Sequence, residues 1–216
     1  MKKRTLILMV LIMLSLSACN IPLTPRATPT VESIPTLEPT PVPERMQLYY
    51  GEGMQITLPR SYISEDVKTS LPSIIETVTN LIGSSEGFAG DLIRDLEGNV
   101  AWYGYDGESP AVYPTRFISI KNKSLSAIPM GLVTVGLETV LKNNETEVSR
   151  DDLTLGGRSV IRFTYSKGGN AWAAYLFKEE GRLWINVFIT TPANMAALLS
   201  EYDQSISTIS IDPIVE

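Results

Sequence analysis

From Glu145 to Thr190 the chain makes four runs of strand-forming residues separated only by short, glycine-containing breaks. The runs are Glu145–Leu155, Arg158–Ser166, Ala171–Lys178 and Arg182–Thr190. The breaks are Gly156-Gly157, Lys167-Gly168-Gly169-Asn170 and Glu179-Glu180-Gly181. No helix fits into breaks this short, so consecutive runs must reverse direction and pair with each other as an antiparallel meander. In the last run, Leu183, Ile185, Val187 and Ile189 share one face, and Trp184, Asn186 and Phe188 share the other. Bulk on both faces predicts a central strand covered on both sides.

The elements around the meander alternate in period. Gln47–Tyr50 and Met54–Leu58 read as a hairpin about Gly51-Glu52-Gly53, stopped by Pro59. Ser64–Ile82 carries Val67, Leu71, Ile74, Ile75, Val78, Leu81 and Ile82 at helical spacing, with Ser70 as a cap and Pro72 in the first turn. Asp91–Leu96 reads as a further helical turn. Asn99–Tyr105 and Thr115–Lys121 read as strands, and Leu132–Lys142 as an amphipathic helix. Thr191 caps a last helix, Ala193 to about Ser205, with Pro192 at its first position and Met195, Leu198, Leu199 and Tyr202 on one stripe. Ile209–Ile211 closes the chain as a short strand. Hairpin-linked strands with singly inserted helices predict an α+β domain over residues 46–213: an antiparallel sheet of about six or seven strands with helices packed on its faces. This order of elements, with the Gly156-Gly157-Arg158 turn, the Trp172 and Trp184 strands and the Pro192 helix, resembles the PsbP-like α/β/α sandwich fold. The resemblance covers nearly all of residues 46–212 and implies a non-catalytic binding or assembly protein. It carries over no functional residue.

Upstream of this domain, Met1–Asn20 reads MKKRTLILMVLIMLSLSACN. Three cations precede an apolar stretch from Leu6 to Leu16, which is shorter than the about 20 residues that span a bilayer. Small residues follow, in the order of a secretory signal. Leu16-Ser17-Ala18-Cys19 resembles the lipobox of bacterial lipoprotein precursors. The resemblance implies a signal peptide over 1–18, cleavage between Ala18 and Cys19, and lipidation (palmitate included) of Cys19, the chain's single cysteine. Acyl burial is worth about 0.8 kcal/mol per CH2, so two or three chains hold where one is marginal. Prolines crowd Ile21–Glu44, which predicts a disordered or polyproline II stalk over 19–45, reaching at most ~70 Å.

Composition narrows the chemistry. The chain has no His, which removes the commonest general base near neutral pH and the commonest zinc ligand. Loss of Lys2, Lys3 and Arg4 with the signal would leave 15 of the 18 Lys+Arg against 24 Asp+Glu. So acidic a domain repels phosphate backbones, and no nucleic-acid partner is expected. Gly83-Ser84-Ser85-Glu86-Gly87 matches G-x-S-x-G, but it follows a helix and lacks the histidine that a nucleophile elbow requires. Asp91, Asp95, Asp151 and Asp152 could pair as hydrolytic carboxylates or hold calcium. Adjacent Asp151 and Asp152 point to opposite sides of a strand, however, and the spacing fits no calcium loop. No catalytic residue, metal site or cofactor is therefore expected.

Trp102, Tyr103, Tyr105, Trp172, Tyr175, Phe177 and Trp184 are expected mostly in the core. Any groove for lipid, pigment, peptide or glycan is expected along Ala171–Phe177, where alternating alanines leave room beside the rings. The expected function is that of a lipoprotein anchored through Cys19 to the extracytoplasmic face of a bacterial membrane. It would act as a non-enzymatic binding or assembly factor in the cell envelope, with a possible protein partner there. The alternatives are a carrier or sensor of a small apolar ligand, and a carboxylate-based hydrolase of envelope polymers.

Overall fold

The computed structural model describes residues 45–82, 90, 96, 98–142 and 147–212. The expected signal over 1–18, Ala18, Cys19, the stalk up to residue 44, the Gly83–Gly87 motif, Asp91 and Asp95 lie outside these residues.

The hairpin is β1 (Met46–Gly51) and β2 (Met54–Pro59), and β3 (Tyr62–Ser64) follows at once. Helix α1 (Val67–Ile82) leads to β4 (Val100–Asp106) and β5 (Arg116–Asn122). Helix α2 (Met130–Lys142) precedes the meander of β6 (Val148–Leu155), β7 (Arg158–Lys167), β8 (Asn170–Glu179) and β9 (Arg182–Thr190). Helix α3 (Pro192–Ser207) and β10 (Ser210–Ile211) end the domain.

The meander forms because its three turns are two-residue loops. Leu155 pairs with Arg158, Lys167 with Asn170 and Glu179 with Arg182. The loop residues Gly156-Gly157, Gly168-Gly169 and Glu180-Gly181 all have positive φ, between 48° and 82°. That is the type I′ geometry whose twist matches paired strands, and glycine adopts it without a Cβ penalty.

The large sheet is antiparallel throughout, with strand order β3-β4-β5-β9-β8-β7-β6. Strand β9 stands in the middle, as the bulk on its two faces predicts. One face packs Ile118, Ile120, Phe163, Leu183, Ile185 and Val187 against Ile74 and Val78 of α1 and Val133, Leu137 and Leu141 of α2. The other packs Trp102, Phe117, Tyr175, Phe177, Trp184 and Phe188 against Met195, Tyr202 and Ile206 of α3 and Met54, Ile56 and Leu58 of β2. Each such side chain, fully buried, contributes about 1.5–3 kcal/mol. The domain is thus α+β, with a sheet of seven strands covered on both faces, and the element order behind the PsbP-like resemblance is present. Among the described residues no helix is long and apolar enough to cross a membrane.

Three details differ from expectation. The N-terminal hairpin does not join the large sheet; β1, β2 and β10 form a second sheet of three strands. The edge next to β4 is taken instead by β3, a strand too short to leave a periodic signal. Helix α1 begins three residues before Ser70. Its first turn is closed by Asp66, whose Oδ1 accepts from Thr69 N at 2.9 Å, while Ser70 Oγ donates to Glu65 Oε2 at 2.8 Å. Pro72 therefore sits inside the helix. The cap of α3 is as expected: Thr191 is the N-cap, its side chain accepts from Asn194 N, and Pro192 opens the helix.

Candidate functional site

Most of the aromatic residues singled out from the sequence are core. Trp102, Tyr103, Trp172, Tyr175, Phe177 and Trp184 are buried, and Tyr105 is half-buried. Strand β8 alternates as predicted. Ala171, Ala173, Tyr175 and Phe177 face α3, and Trp172, Ala174 and Leu176 face α1 and α2. The rings fill the space beside the alanines. Tyr165 lies parallel to Trp172 with centroids 6.0 Å apart, and Phe177 stacks on Trp184 at 6.5 Å. Neither cleft described next runs along β8; only Asn170 and Trp172, at its start, reach one of them.

That cleft has a volume of about 240 Å³. One wall is α1, which presents Ser73, Glu76, Thr77 and Asn80. Their i, i+3, i+4, i+7 spacing puts them on one face of the helix, beside the buried stripe of Ile74 and Val78. The opposite wall is the β4–β5 loop with Val112, Tyr113 and Pro114. The remaining lining comes from Arg116 at the start of β5, Asn170 and Trp172 at the start of β8, and Ile189 at the end of β9. Val112 is 77% exposed and Tyr113 53% exposed. Among the described residues no carboxylate lies within ion-pair distance of Arg116.

A second cleft, of about 520 Å³, opens between the hairpin, the β4–β5 loop and α3. It carries charges of both signs: Arg45 and Arg60 with Asp106, Glu108 and Glu201. Burial, and then the negative charge of Asp106, push the Glu201 carboxyl above the ordinary carboxylate range. Sequence reasoning passed over this pair, since Asp106 and Glu201 lie on different elements far apart in the chain. Among the described residues no group of three or more His, Cys, Asp or Glu side chains is arranged to hold a metal ion.

Asp151 and Asp152 diverge, as adjacent strand residues must. Asp152 pairs with Arg150 at 3.1 Å on the surface. Asp151 instead shares Arg162 with Asp203 of α3. Arg162 Nη1 donates to both Asp203 oxygens at 2.8 and 2.6 Å, its Nη2 donates to Asp151 Oδ2 at 2.9 Å, and the Tyr175 hydroxyl donates to Asp203 Oδ1 at 2.8 Å. Burial works against the guanidinium charge, but the two carboxylates outweigh it and hold the Arg162 pKa above its usual value. The Tyr175 phenol is pushed up by burial and by Asp203. Both carboxylates are thus bound to a permanent cation, which suits a strut between α3 and the sheet and unsuits them for proton transfer.

No family model and no curated protein matches the chain. Among solved structures the chain is similar to a cyanobacterial PsbP, CyanoP, from Synechocystis sp. PCC 6803, with 15% identity over 77% of this chain and 92% of that one and a TM-score of 0.45. It is also similar to LpqN of Mycobacterium tuberculosis, described as involved in cell envelope biogenesis, with 11% identity over 78% of this chain and 92% of that one and a TM-score of 0.38. A third similar structure is PA94 of Pseudomonas aeruginosa, a protein of unknown function, with 13% identity over 79% of this chain and 99% of that one and a TM-score of 0.40. No side chain of this domain takes a role from them.

Proposed function

We propose that this chain is a bacterial lipoprotein, anchored through Cys19 to the extracytoplasmic face of a membrane, whose globular domain is a non-enzymatic binding or assembly factor. The lipobox Leu16-Ser17-Ala18-Cys19 and the proline-rich stalk support the anchoring. The observation that carries the non-enzymatic reading is the fate of Asp151 and Asp203. They converge, as hydrolytic carboxylates would, but on Arg162 rather than on open space. The chain also has no His, the commonest general base near neutral pH. The cleft beside Arg116 is the binding face, because it is open at the surface and Ser73, Glu76, Asn80, Arg116 and Asn170 line it with polar side chains beside the exposed Val112 and Tyr113. That lining weighs against an apolar ligand. The partners are the membrane, through the lipid, and a component of the cell envelope; the acidic charge opposes nucleic acid.

Two measurements test this reading. Cells expressing the full-length chain are fed a palmitate analogue. Label is expected on the wild type and absent from Cys19→Ser; no label on the wild type, or equal label on both, defeats the anchor. The full-length protein is then captured from membranes, and co-purifying protein and lipid are read by mass spectrometry. A reproducible partner, lost when Arg116 or Asn80 is replaced by Ala, supports the binding role. Turnover of an envelope polymer by the purified chain would overturn it.

A further inference from the structure

The lining of the cleft beside Arg116 selects among ligands by hydrogen-bonding character. Hydroxyls of the polar α1 stripe and the amides of Asn80 and Asn170 both donate and accept. Glu76 only accepts and Arg116 only donates. The two charges offset one another, so the cleft has no net preference for an anion or a cation, and a free phosphate or carboxylate would meet Glu76 as well as Arg116. A hydrocarbon ligand is disfavoured for a different reason, since it would strand these polar groups without water. The chemistry that matches is a polyhydroxylated ring, in which every hydroxyl donates one hydrogen bond and accepts others. The rim supplies the second half of such a site. Tyr113 stands 53% exposed at the mouth, where an aromatic face can pack against the C–H face of a sugar, and Trp172 closes the inner end.

We propose that this cleft binds one saccharide unit of a glycan, held between the polar stripe of α1 and Arg116, with Tyr113 packed on the ring. The proposal rests on the reading of the domain as a binding module and names the ligand chemistry of that cleft. The experiment uses the full-length chain in detergent micelles, labelled with 15N at tryptophan. The chain has 3 Trp, and each gives one indole N–H signal. Trp172 is assigned by the signal missing from Trp172→Phe. Maltose, cellobiose and N,N′-diacetylchitobiose are titrated separately.

At least one sugar is expected to move the Trp172 signal saturably, in the millimolar range, while the Trp102 and Trp184 signals stay in place. Arg116→Ala and Asn80→Ala are each expected to weaken that binding about fivefold or more, the loss of one hydrogen bond to the ligand. The unmoved Trp102 and Trp184 signals of each variant certify its fold. Three results overturn the proposal: no saturable shift with any of the three sugars up to about 50 mM, a concentration well past millimolar affinity; equal shifts of all three indoles; or binding that survives both substitutions. A negative titration beside intact palmitate labelling and membrane capture removes the saccharide and leaves the anchored binding module standing.

Discussion

Replacing Arg162 by Met tests whether α3 is fastened to the sheet by charge. Met keeps the apolar stem and removes the fork. The Arg162 side chain is only 12% exposed, Asp203 27% and Asp151 40%. Nη1 reaches both Asp203 oxygens, Asp203 also accepts from the Tyr175 hydroxyl, and this arm is the better shielded, whereas Nε and Nη2 share one Asp151 oxygen; a charge-assisted bond of the Asp203 kind contributes about 2 kcal/mol. The Asp151 arm is more than a third exposed and is discounted to less than about 1 kcal/mol. Arg162→Met should therefore cost about 3 kcal/mol, including the penalty of leaving Asp203 half-buried without its cation. In a domain of this size that lowers Tm by about 6–12 °C. Urea unfolding followed by tryptophan fluorescence reads the cost directly. A double-mutant cycle with Asp203→Asn should give a coupling of about 2 kcal/mol, and the cycle with Asp151→Asn less than about 1 kcal/mol. A loss under about 1 kcal/mol for Arg162→Met, or a larger coupling to Asp151 than to Asp203, would refute the reasoning.

Other outcomes follow from single groups. Gly156→Ala should destabilise far more than Gly168→Ala. Both positions have positive φ, which costs about 1–2 kcal/mol for Ala, but only at Gly156 would the new Cβ collide with the Ser207 carbonyl oxygen; similar unfolding midpoints for the two variants would contradict this. Glu201→Gln should stabilise the domain near pH 7 by less than about 1 kcal/mol. Burial and Asp106 raise the folded pKa of Glu201, so its ionisation opposes folding. The penalty is absent below the unfolded pKa of about 4.3 and appears as pH rises through the folded value. Thermal melts should thus separate variant and wild type at pH 7 and converge at about pH 3. The phenols of Tyr62, Tyr165, Tyr175 and Tyr202 are all raised, chiefly by burial. Their neutral forms stabilise the fold below an unfolded pKa of about 10, and that contribution is lost as pH rises past it. Absorbance near the tyrosinate band should therefore show these four ionising only together with loss of near-UV circular dichroism. Ionisation of all of the chain's tyrosines with the tertiary signal intact would contradict the burial.

The parts legible in the sequence were those whose signals are local. The glycine pairs 156–157 and 168–169 and the Glu180-Gly181 turn fixed three hairpins, because two-residue loops with positive φ leave the chain little else to do. Thr191-Pro192 marked the start of α3, and the two-sided bulk of Leu183–Ile189 marked the centre of the sheet. What escaped was long-range. Alternation in Met54, Ile56 and Leu58 says that one face of β2 is buried, but not which sheet the strand joins, and only the pairing with Ser210 and Ile211 decides that. The partnership of Arg162 with Asp203 spans 41 positions and has no periodic trace. The polar stripe Ser73, Glu76, Thr77 and Asn80 was passed over beside the apolar positions of the same helix. Nothing in its spacing said that Arg116 and Asn170 would stand opposite it.

The small sheet joins the first strands of the domain to its last one. Gln55 pairs with Ser210 and Met54 with Ile211, and Thr57 N donates to Thr208 Oγ1 at 2.9 Å across 151 positions. A polypeptide delivered N-terminus first cannot seat β10 until residues 210 and 211 have emerged. The apolar face of the hairpin packs on the large sheet, but the outer edge of β2 waits for β10. Seating of β10 is therefore a late step, and removing residues 208–211 should leave the edge of β2 unpaired and the domain less stable.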